Sequence, residues 1–248
     1  RQQRNKTPRQ NTQPTHLLRI LGNIGFLAIT SRLDAVMSTS SPQAIATKLL
    51  TSALQEMPDV IALANLFESG GYEFSVVGGP VRDLILDRPI TDLDFTTNAT
   101  PEQIISLVEP WADNVWDVGI AFGTVGVRKK NFQAEITTYR SEVYRHESRK
   151  PEVKFGTTLE EDLVRRDFTI NAMAVRLPEF IFVDPFGGVE DLSKKLIRTP
   201  RAPELSFSDD PLRMMRAARF TSQLGFTPVV DVLLAITQMA DRITIVSA

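Results

Sequence analysis

The stretch 74–97 constrains the fold of this chain more than any other. It begins with an apolar run that predicts a strand, turns through a Gly-Gly pair into a short helix, and ends in a second strand that presents Asp92 and Asp94. Side chains alternate along a strand, so both carboxylates leave the same face. Adjacent carboxylates repel unless a cation lies between them, and Mg²⁺ is commonly held by one or two carboxylates plus substrate phosphates. The stretch therefore predicts metal-dependent nucleotide chemistry.

The composition excludes several other kinds of site. With 248 residues the chain is long enough for one large domain or two small ones. It has no cysteine, which excludes disulfides, thiolate zinc sites and cysteine nucleophiles and makes the reducing cytosol the expected compartment. His16 and His146 are the only histidines, which argues against a histidine metal site or catalytic triad. No stretch is long and apolar enough to span a bilayer, so we expect a cytoplasmic protein without membrane contact.

An extension and two domains are predicted. Residues 1–40 begin without Met and are rich in basic residues, and we interpret them as a disordered or non-native extension. A first domain is placed at 41–185, and its boundary is the turn formed by residues 184–188. A second, helical domain is placed at 186–248, and we expect it to be incomplete because its apolar C-terminal stretch has no packing partner in the sequence.

Spacing and capping residues predict the elements that surround the opening stretch. Helices are expected over about 42–55, 58–69 and 101–108, each of which begins at a proline that follows a potential cap or turn. Strands are expected over 123–128 and 132–139, because β-forming residues are joined there by a short basic turn.

The C-terminal half is predicted to be mostly helical. The charged run 140–155 has no clear period, and we interpret it as a loop over a charged ligand or as a solvated loop. A helix is predicted over 159–175, and a strong helix is predicted to begin at Ser208 and to end before Gly225. That last helix carries a stripe of arginines at a spacing of three, Arg213, Arg216 and Arg219.

Three other charged residues have both a functional and a structural interpretation. Glu135 is an acid among β-forming residues, either a third catalytic carboxylate beside the Asp pair or a solvated strand position. Arg82 offers a bidentate fork to a phosphate or pairs with a neighbouring aspartate. Arg166 contacts a ligand or pairs with Asp162, one helical turn earlier.

Four motifs in a fixed order resemble the class II CCA-adding tRNA nucleotidyltransferases and the related bacterial poly(A) polymerases. They are GGPVRD followed by DLD (78–94), RRDFTINA (165–172), DPFGG (184–188) and DDPLRMMRAARF (209–220). The resemblance covers about residues 55–240. It implies an α+β fold in which a polymerase-β-type nucleotidyltransferase head, a small mixed sheet with flanking helices, is followed by an all-α neck that is truncated here.

The resemblance also implies roles for individual residues. It makes Asp92 and Asp94 ligands of Mg²⁺ and Arg166 a nucleotide contact. It implies that the nucleotide phosphates are contacted by Gly79 and Arg82. In the last motif it implies a base-reading pair, Asp210 and Arg213, with Arg216 and Arg219 nearer the triphosphate.

A physical argument supports the base-reading pair. Cytosine and adenine each place an amino donor next to a ring-nitrogen acceptor, whereas guanine and uracil reverse this order. A carboxylate beside a guanidinium matches the first arrangement and leaves unpaired groups against the second. One pair, Asp210 and Arg213, is therefore expected to select CTP and ATP without a nucleic-acid template.

The predicted activity is template-independent, Mg²⁺-dependent addition of CMP and AMP to the 3′ end of tRNA. No protein partner is inferred. One alternative is a poly(A) polymerase or an enzyme that adds only CC or only A, because head and neck motifs hardly differ among these activities. Another is a nucleotide- or RNA-binding fragment without activity, in which the acids serve structure alone.

Overall fold

The computed structural model describes residues 41–90, 92–119, 123–143, 152–156 and 158–245. The prediction for residues 1–40 therefore lies outside the described residues. From Pro42 onward the chain forms one compact unit, and the predicted division between residues 185 and 186 stays a prediction. In this described part, no helix has the length and apolar character needed to cross a membrane.

A mixed sheet forms the centre of the fold. The strands are β1 Phe74–Val77, β2 Leu93–Thr97, β3 Asn114–Gly119, β4 Thr124–Lys129, β5 Phe132–Thr138, β6 Arg140–Val143, β7 Glu152–Phe155, β8 Ala174–Leu177, β9 Ile181–Val183, β10 Leu196–Ile197 and β11 Thr227–Pro228. Seven of them form the main sheet in the order β3-β4-β5-β2-β1-β8-β9. Within it β2 and β5 run parallel, and the other neighbours run antiparallel.

Helices pack against this sheet and continue beyond it. They are α1 Pro42–Gln55, α2 Pro58–Ser69, α3 Gly79–Ile85, α4 Pro101–Val108, α5 Leu159–Val164, α6 Gly188–Lys194, α7 Pro203–Asp209, α8 Leu212–Leu224 and α9 Val230–Met239, with 3₁₀ turns at Thr169–Asn171 and Ala240–Ile245. The start of α4 is fixed by a capping box between Thr100 and Gln103. The mixed sheet, the flanking helices and the helical C-terminal part confirm the predicted fold class.

Alternation along the strands separates a core face from an open face. On β5, Ala134 and Ile136 are buried whereas Glu135 between them is exposed. On the core face three phenylalanine rings stack in series, with centroid distances of 4.2 and 4.6 Å, and join α2, β1 and β2: Phe67, Phe74 and Phe95. The open face is therefore left for polar groups around β5, whereas α5 packs on it where β1 ends and β8 begins.

The helical C-terminal part packs around its own small core and also onto the main one. Phe207, Met214 and Val232 belong to the small core formed by α7, α8 and α9. From α8, Ala217 and Phe220 reach the main core. Helix α8 is thereby held against the sheet domain, with its arginines near the open face.

The predicted helix over 159–175 is wrong. Helix α5 ends at Val164, and the chain then passes through the 3₁₀ turn before β8. Tertiary bonds explain the break, because the Thr169 amide donates to the carbonyl of Arg198 and the Thr169 hydroxyl donates to buried Asp191. Long-range partners such as these override local helix propensity.

The predicted helix start at Ser208 is also wrong. Helix α7 runs through Ser208 and ends at Asp209, Asp210 is extended with φ −143° and ψ 102°, and α8 begins only at Leu212. The proline at 211 explains the break, because a residue that precedes proline is driven out of the helical region. The predicted end before Gly225 is confirmed, since Gly225 is the left-handed cap with φ 69°.

Two strand regions were not anticipated. The interpretation of 140–155 as a loop is wrong at both ends, where β6 and β7 form an antiparallel pair, and its middle lies outside the described residues. Strand β3 was not predicted at all, and it forms the edge of the main sheet. The other predicted strands and helices are confirmed with shifts of one or two residues, and Asp92 lies immediately before β2 instead of within it.

Candidate active site

An open cleft of about 670 Å³ lies between the open face of the sheet and helix α8. Every residue that the sequence predicts for the site lines this cleft. They are Gly79, Arg82, Asp92, Asp94, Glu135, Arg166, Asp210, Arg213, Arg216 and Arg219. The cleft therefore combines carboxylates on the sheet with a wall of guanidiniums.

The carboxylates meet at the parallel pair β2 and β5. Asp94 and Glu135 are direct cross-strand partners, and Asp92 precedes Asp94 by two residues. Burial raises the pKa of Asp94; nearby Arg166 opposes this rise, whereas the charge of Asp92 adds to it. Partial desolvation, followed by the charges of Asp94 and Asp92, raises the pKa of Glu135. The charge of Asp92 thus disfavours ionisation of Asp94, and the charges of both aspartates disfavour ionisation of Glu135, as expected where a cation is needed.

These acids do not form a complete metal cage by themselves. Within the described ranges no group of three or more Asp, Glu or His side chains is close enough to hold a metal ion. A pair, Asp92 and Asp94, fits the donor set of Mg²⁺, which often takes one or two carboxylates and completes its shell with waters and substrate phosphates.

A buried aspartate holds two arginines at the rim of the cleft. Asp162 is fully buried; its Oδ1 accepts from Arg165 at 3.1 and 3.2 Å, and its Oδ2 accepts from Arg166 at 2.8 and 3.3 Å. Burial by itself would raise the pKa of Asp162, but the charges of Arg166 and Arg165 outweigh it and lower the pKa to about 2. The ion pair predicted between Asp162 and Arg166 is confirmed, and it leaves Arg166 facing the cleft.

A chain of hydrogen bonds connects helix α8 to helix α3 across the cleft. Arg216 Nε donates to Asp167 Oδ2 at 2.7 Å, and Asn171 Nδ2 donates to Asp167 Oδ1 at 3.0 Å. Arg82 Nη1 donates to Asn171 Oδ1 at 2.6 Å, and the rest of its guanidinium pairs with Asp83. Both interpretations of Arg82 therefore apply, because it pairs with an aspartate while lining the cleft.

A single aromatic ring supports three of the guanidiniums. Arg82, Arg216 and Arg219 each place their guanidinium carbon 5.2–5.5 Å from the centroid of Phe220. The ring itself contacts Phe168 edge to face, with centroids 5.8 Å apart. The arginine stripe on α8 is thus ordered by packing as well as by charge.

The proposed base-reading residues line the cleft but are not hydrogen-bonded to each other. Asp210 Oδ1 accepts from the amide of Leu212 at 2.9 Å. Arg213 is buried and donates from Nη1 to Ser206 Oγ at 2.9 Å and from Nη2 to the carbonyl of Arg165 at 2.5 Å. Helix α8 begins after Asp210, so the expectation that both residues lie on one helix is wrong. The guanidinium is nonetheless fixed in orientation by its two anchors.

In the Gly-Gly turn between β1 and α3, Gly78 is the residue whose backbone conformation most requires glycine. Its φ is 73° and its ψ −129°, and a Cβ there would lie 2.9 Å from Arg166 Nη1. At Gly79, by contrast, a Cβ would meet its nearest neighbour, Arg82 Nη2, at an ordinary 3.7 Å. The first glycine of the pair therefore permits the approach of Arg166 to the turn.

Gly78→Ala is expected to destabilise the fold by roughly 1–3 kcal/mol and to weaken nucleotide binding, because it strains the backbone and displaces Arg166. Thermal unfolding and CTP titration measure the two effects. Gly71→Ala is the matched control, since Gly71 also has a positive φ of 77° but nothing lies within 4 Å of its Cβ position. The control should lose stability and keep CTP affinity, and equal CTP affinity in both variants would contradict the role of Gly78.

Several residues in or behind the cleft have roles that the sequence does not predict. Asp167 and Asn171 lie within the RRDFTINA motif but gain their roles through partners on α8 and α3. The sequence predicts an ion pair between Asp162 and one arginine, whereas in the structure Asp162 pairs with two. Phe220 resembles an ordinary core residue in its spacing. These roles depend on contacts between residues that lie dozens of positions apart in the sequence.

Comparison with known families decides between the classes of protein that such a cleft allows. The model of the poly(A) polymerase head domain matches residues 74–198, half of this chain. The chain belongs to the poly(A) polymerase head-domain family. The matched range contains the Gly-Gly turn, the carboxylate pair and the RRDFTINA motif, and it ends before α7, α8 and α9.

Curated relatives of this family member are CCA-adding enzymes. The chain is 48% identical over 178 residues to the CCA-adding enzyme of Lactobacillus helveticus, and 45% identical over 178 residues to that of Geobacillus thermodenitrificans. The alignments cover 70% and 71% of this chain and 43% of each relative. The chain thus spans about two fifths of the length of the curated relatives it matches.

Solved structures of the same family share the fold. The CCA-adding enzyme of Bacillus stearothermophilus, solved in complex with CTP, is 37% identical with a TM-score of 0.65 over 84% of this chain and 46% of that one. A tRNA nucleotidyltransferase solved with a primer tRNA and an incoming ATP analogue is 31% identical with a TM-score of 0.59 over 72% of this chain and 50% of that one. The predicted resemblance is confirmed.

Proposed function

We propose that this chain is the nucleotidyl-transfer part of a CCA-adding enzyme, which transfers CMP and AMP from CTP and ATP to the 3′ end of tRNA. The observation that carries the proposal is the meeting of the carboxylate pair and the arginine wall in one cleft. Relatives that are CCA-adding enzymes, and solved relatives bound to CTP or to primer tRNA with an ATP analogue, support it.

The carboxylates are proposed to serve the attack of the RNA 3′-hydroxyl on the α-phosphorus. Asp92 and Asp94 would hold Mg²⁺, and Glu135, the cross-strand partner of Asp94, adds a third carboxylate beside them. When bound, the metal would supply Lewis-acid activation of the hydroxyl and neutralisation of phosphate charge. The raised pKa values of Asp94 and Glu135 support this role, because they identify negative charge that lacks full compensation in the protein alone.

The arginines are proposed to hold the triphosphate and the leaving pyrophosphate. Arg82 lies on α3, which begins at Gly79, whereas Arg216 and Arg219 line the cleft from α8. The aspartates and the aromatic ring behind them limit their motion, so the positive charge is preorganised before phosphate charge develops. Arg166, anchored by Asp162, is proposed as a further nucleotide contact.

Base selection is proposed to rest on Asp210 and Arg213. The anchored Arg213 offers a donor of fixed direction, and Asp210 offers an acceptor in the extended segment just before the helix that carries Arg213. A nucleotide edge that places an amino donor beside a ring acceptor satisfies both groups. The selection then needs no template strand.

Asp210→Asn is expected to reduce the preference for CTP over UTP at least about tenfold, because a lost or reversed hydrogen bond costs on the order of 1.4 kcal/mol or more. The amide keeps an oxygen for the Leu212 amide while replacing the other acceptor with a donor. Single-nucleotide incorporation with each NTP measures the preference. Asp231→Asn, in the first turn of α9, is the control and should leave the preference unchanged. Unchanged discrimination in Asp210→Asn would refute base reading by this residue.

Release of pyrophosphate tests the function itself. The full-length protein, Mg²⁺, CTP and a tRNA that lacks its 3′ CCA are expected to release pyrophosphate in proportion to lengthened RNA. Nucleotide binding without pyrophosphate release would instead support the non-catalytic alternative. The expectation of a cytoplasmic location stays a prediction.

A further inference from the structure

A row of cross-strand partners extends from the catalytic acids to the edge of the sheet. Asp94 on β2 pairs with Glu135 on β5, which pairs with Gly126 on β4, which pairs with Trp116 on β3. Direct cross-strand partners project from the same face of a sheet. Trp116 therefore shares the open face with the candidate catalytic carboxylates.

The indole of Trp116 lies directly over Gly126. A Cβ at Gly126 would come within 2.3–2.6 Å of three atoms of that ring, closer than any real contact. The glycine is buried beneath the ring, whereas Trp116 itself stays partly exposed. The absence of a side chain at position 126 thus lets the indole pack directly on the backbone of β4, where the partly exposed ring forms an aromatic platform.

The platform lies at a useful distance from the acids. Gly126 is two strands from Asp94, which corresponds to about 10 Å at the usual strand spacing. Along one nucleic-acid strand, stacked nucleotides advance about 3.4 Å each, so this span equals about three nucleotides. A strand that runs along this row with its 3′-hydroxyl at Asp94 would bring one of its last bases over the indole.

A cation is placed beside the platform. Arg128 on β4 is two residues from Gly126, so its side chain leaves the same face, and it is exposed. Its cross-strand partners there, Asn114 and Gln133, are also exposed and polar. An aromatic platform beside an arginine is the arrangement that holds the bases and backbone of single-stranded nucleic acid.

We propose that Trp116 stacks a base of the single-stranded 3′ end of the RNA substrate, and that Arg128 contacts the backbone of the same strand. The proposal rests on the proposed function, because it supplies the acceptor strand that the catalytic acids require. Continuity of the face with the candidate catalytic row and the positive charge at its edge favour RNA as the occupant. The platform then sets how far the 3′-hydroxyl extends towards Asp94.

The other tryptophan provides an internal control. Trp111 contacts Phe132 edge to face, with centroids 5.9 Å apart, and Lys129 Nζ lies 4.4 Å from its ring centroid. Its ring is therefore occupied by protein groups. Because the sequence contains two tryptophans, Trp111→Phe leaves Trp116 as the sole indole fluorophore, and Trp116→Phe leaves Trp111.

Tryptophan fluorescence tests the proposal without requiring catalysis. A short single-stranded RNA that ends in CC is titrated into the Trp111→Phe and Trp116→Phe variants of this 248-residue chain. Quenching is expected in Trp111→Phe alone, with a midpoint that weakens as salt is added. In a parallel anisotropy titration, Trp116→Ala should bind the RNA about tenfold more weakly and Trp116→Phe less than threefold more weakly, since a phenyl ring keeps most of the stacking surface.

The outcomes separate this proposal from the proposed function. Absence of quenching, or equal quenching in both single-tryptophan proteins, overturns the stacking platform even when CMP transfer proceeds. Quenching in Trp111→Phe alone supports the platform even when CMP transfer fails, in which case the proposed function fails by itself. Circular dichroism of each variant ensures that weaker binding is not caused by unfolding.

Discussion

Asp94→Asn is expected to reduce CMP transfer at least about a thousandfold while leaving the fold at least as stable as before. The carboxylate is half-buried on β2, and burial and Asp92 raise its pKa, so the ionised form is disfavoured in the folded protein. A raised pKa of an acid means that its ionisation costs stability as the pH rises above the ordinary pKa, and that the cost is complete above the raised pKa. Removing the charge therefore relieves repulsion and at the same time removes the proposed metal ligand.

Incorporation of CMP into RNA and the unfolding temperature at pH 7 measure these two effects. Asp87→Asn is the control, because Asp87 is exposed, lies outside the cleft lining and has a left-handed φ of 51° that asparagine tolerates. The control should keep both activity and stability. Transfer at the unmodified rate in Asp94→Asn would contradict the assignment, and so would a loss of activity explained by unfolding.

Asp162→Ala is expected to destabilise the protein by about 3 kcal/mol or more, since it removes the buried partner of two guanidiniums. Asp162 is fully buried and accepts from both Arg165 and Arg166. Its loss also frees Arg166 from the cleft wall, so nucleotide affinity should fall with stability. Urea unfolding gives the free energy, and CTP titration under stabilising conditions gives the affinity.

The pH dependence of this effect has a defined sign. The pKa of Asp162 is lowered to about 2, so its ionised form stabilises the fold fully above the ordinary pKa of 3.8 and this contribution is lost as the pH falls towards 2. The difference in unfolding free energy between the parent protein and Asp162→Ala should therefore be constant above about pH 5 and shrink below pH 4. Glu190→Gln, which removes an exposed pair with Lys194, is the control and should change little. A difference that grows on acidification would contradict the role of Asp162.

The metal-facing half of the cleft was largely predictable from the sequence. Asp92 and Asp94 are two residues apart next to a Gly-Gly turn, and such local patterns survive folding because strand alternation fixes their direction. Glu135 was predicted as a candidate third carboxylate, and its alignment with Asp94 follows from the β2 and β5 register. That register required the parallel pairing, which no local signal specifies.

The arginine wall was predicted in its members but not in its organisation. The predicted start of α8 is wrong because Pro211 drives Asp210 out of the helical region, and this effect outweighs the capping potential of Ser208. Arg213 resembled an exposed residue of a charged stripe and is instead buried against Ser206. Its partners come from other elements, so spacing along one helix could not reveal them.

Sequencing of the 3′ ends of the product RNA tests whether one cleft selects both C and A. The full-length protein is incubated with Mg²⁺, all four NTPs and a tRNA that lacks its 3′ end, and the new ends are read one molecule at a time. We predict uniform CCA addition, with no U or G and no extension beyond A. A run of adenylates, a product that stops at CC, or incorporation of U or G at comparable frequency would contradict it.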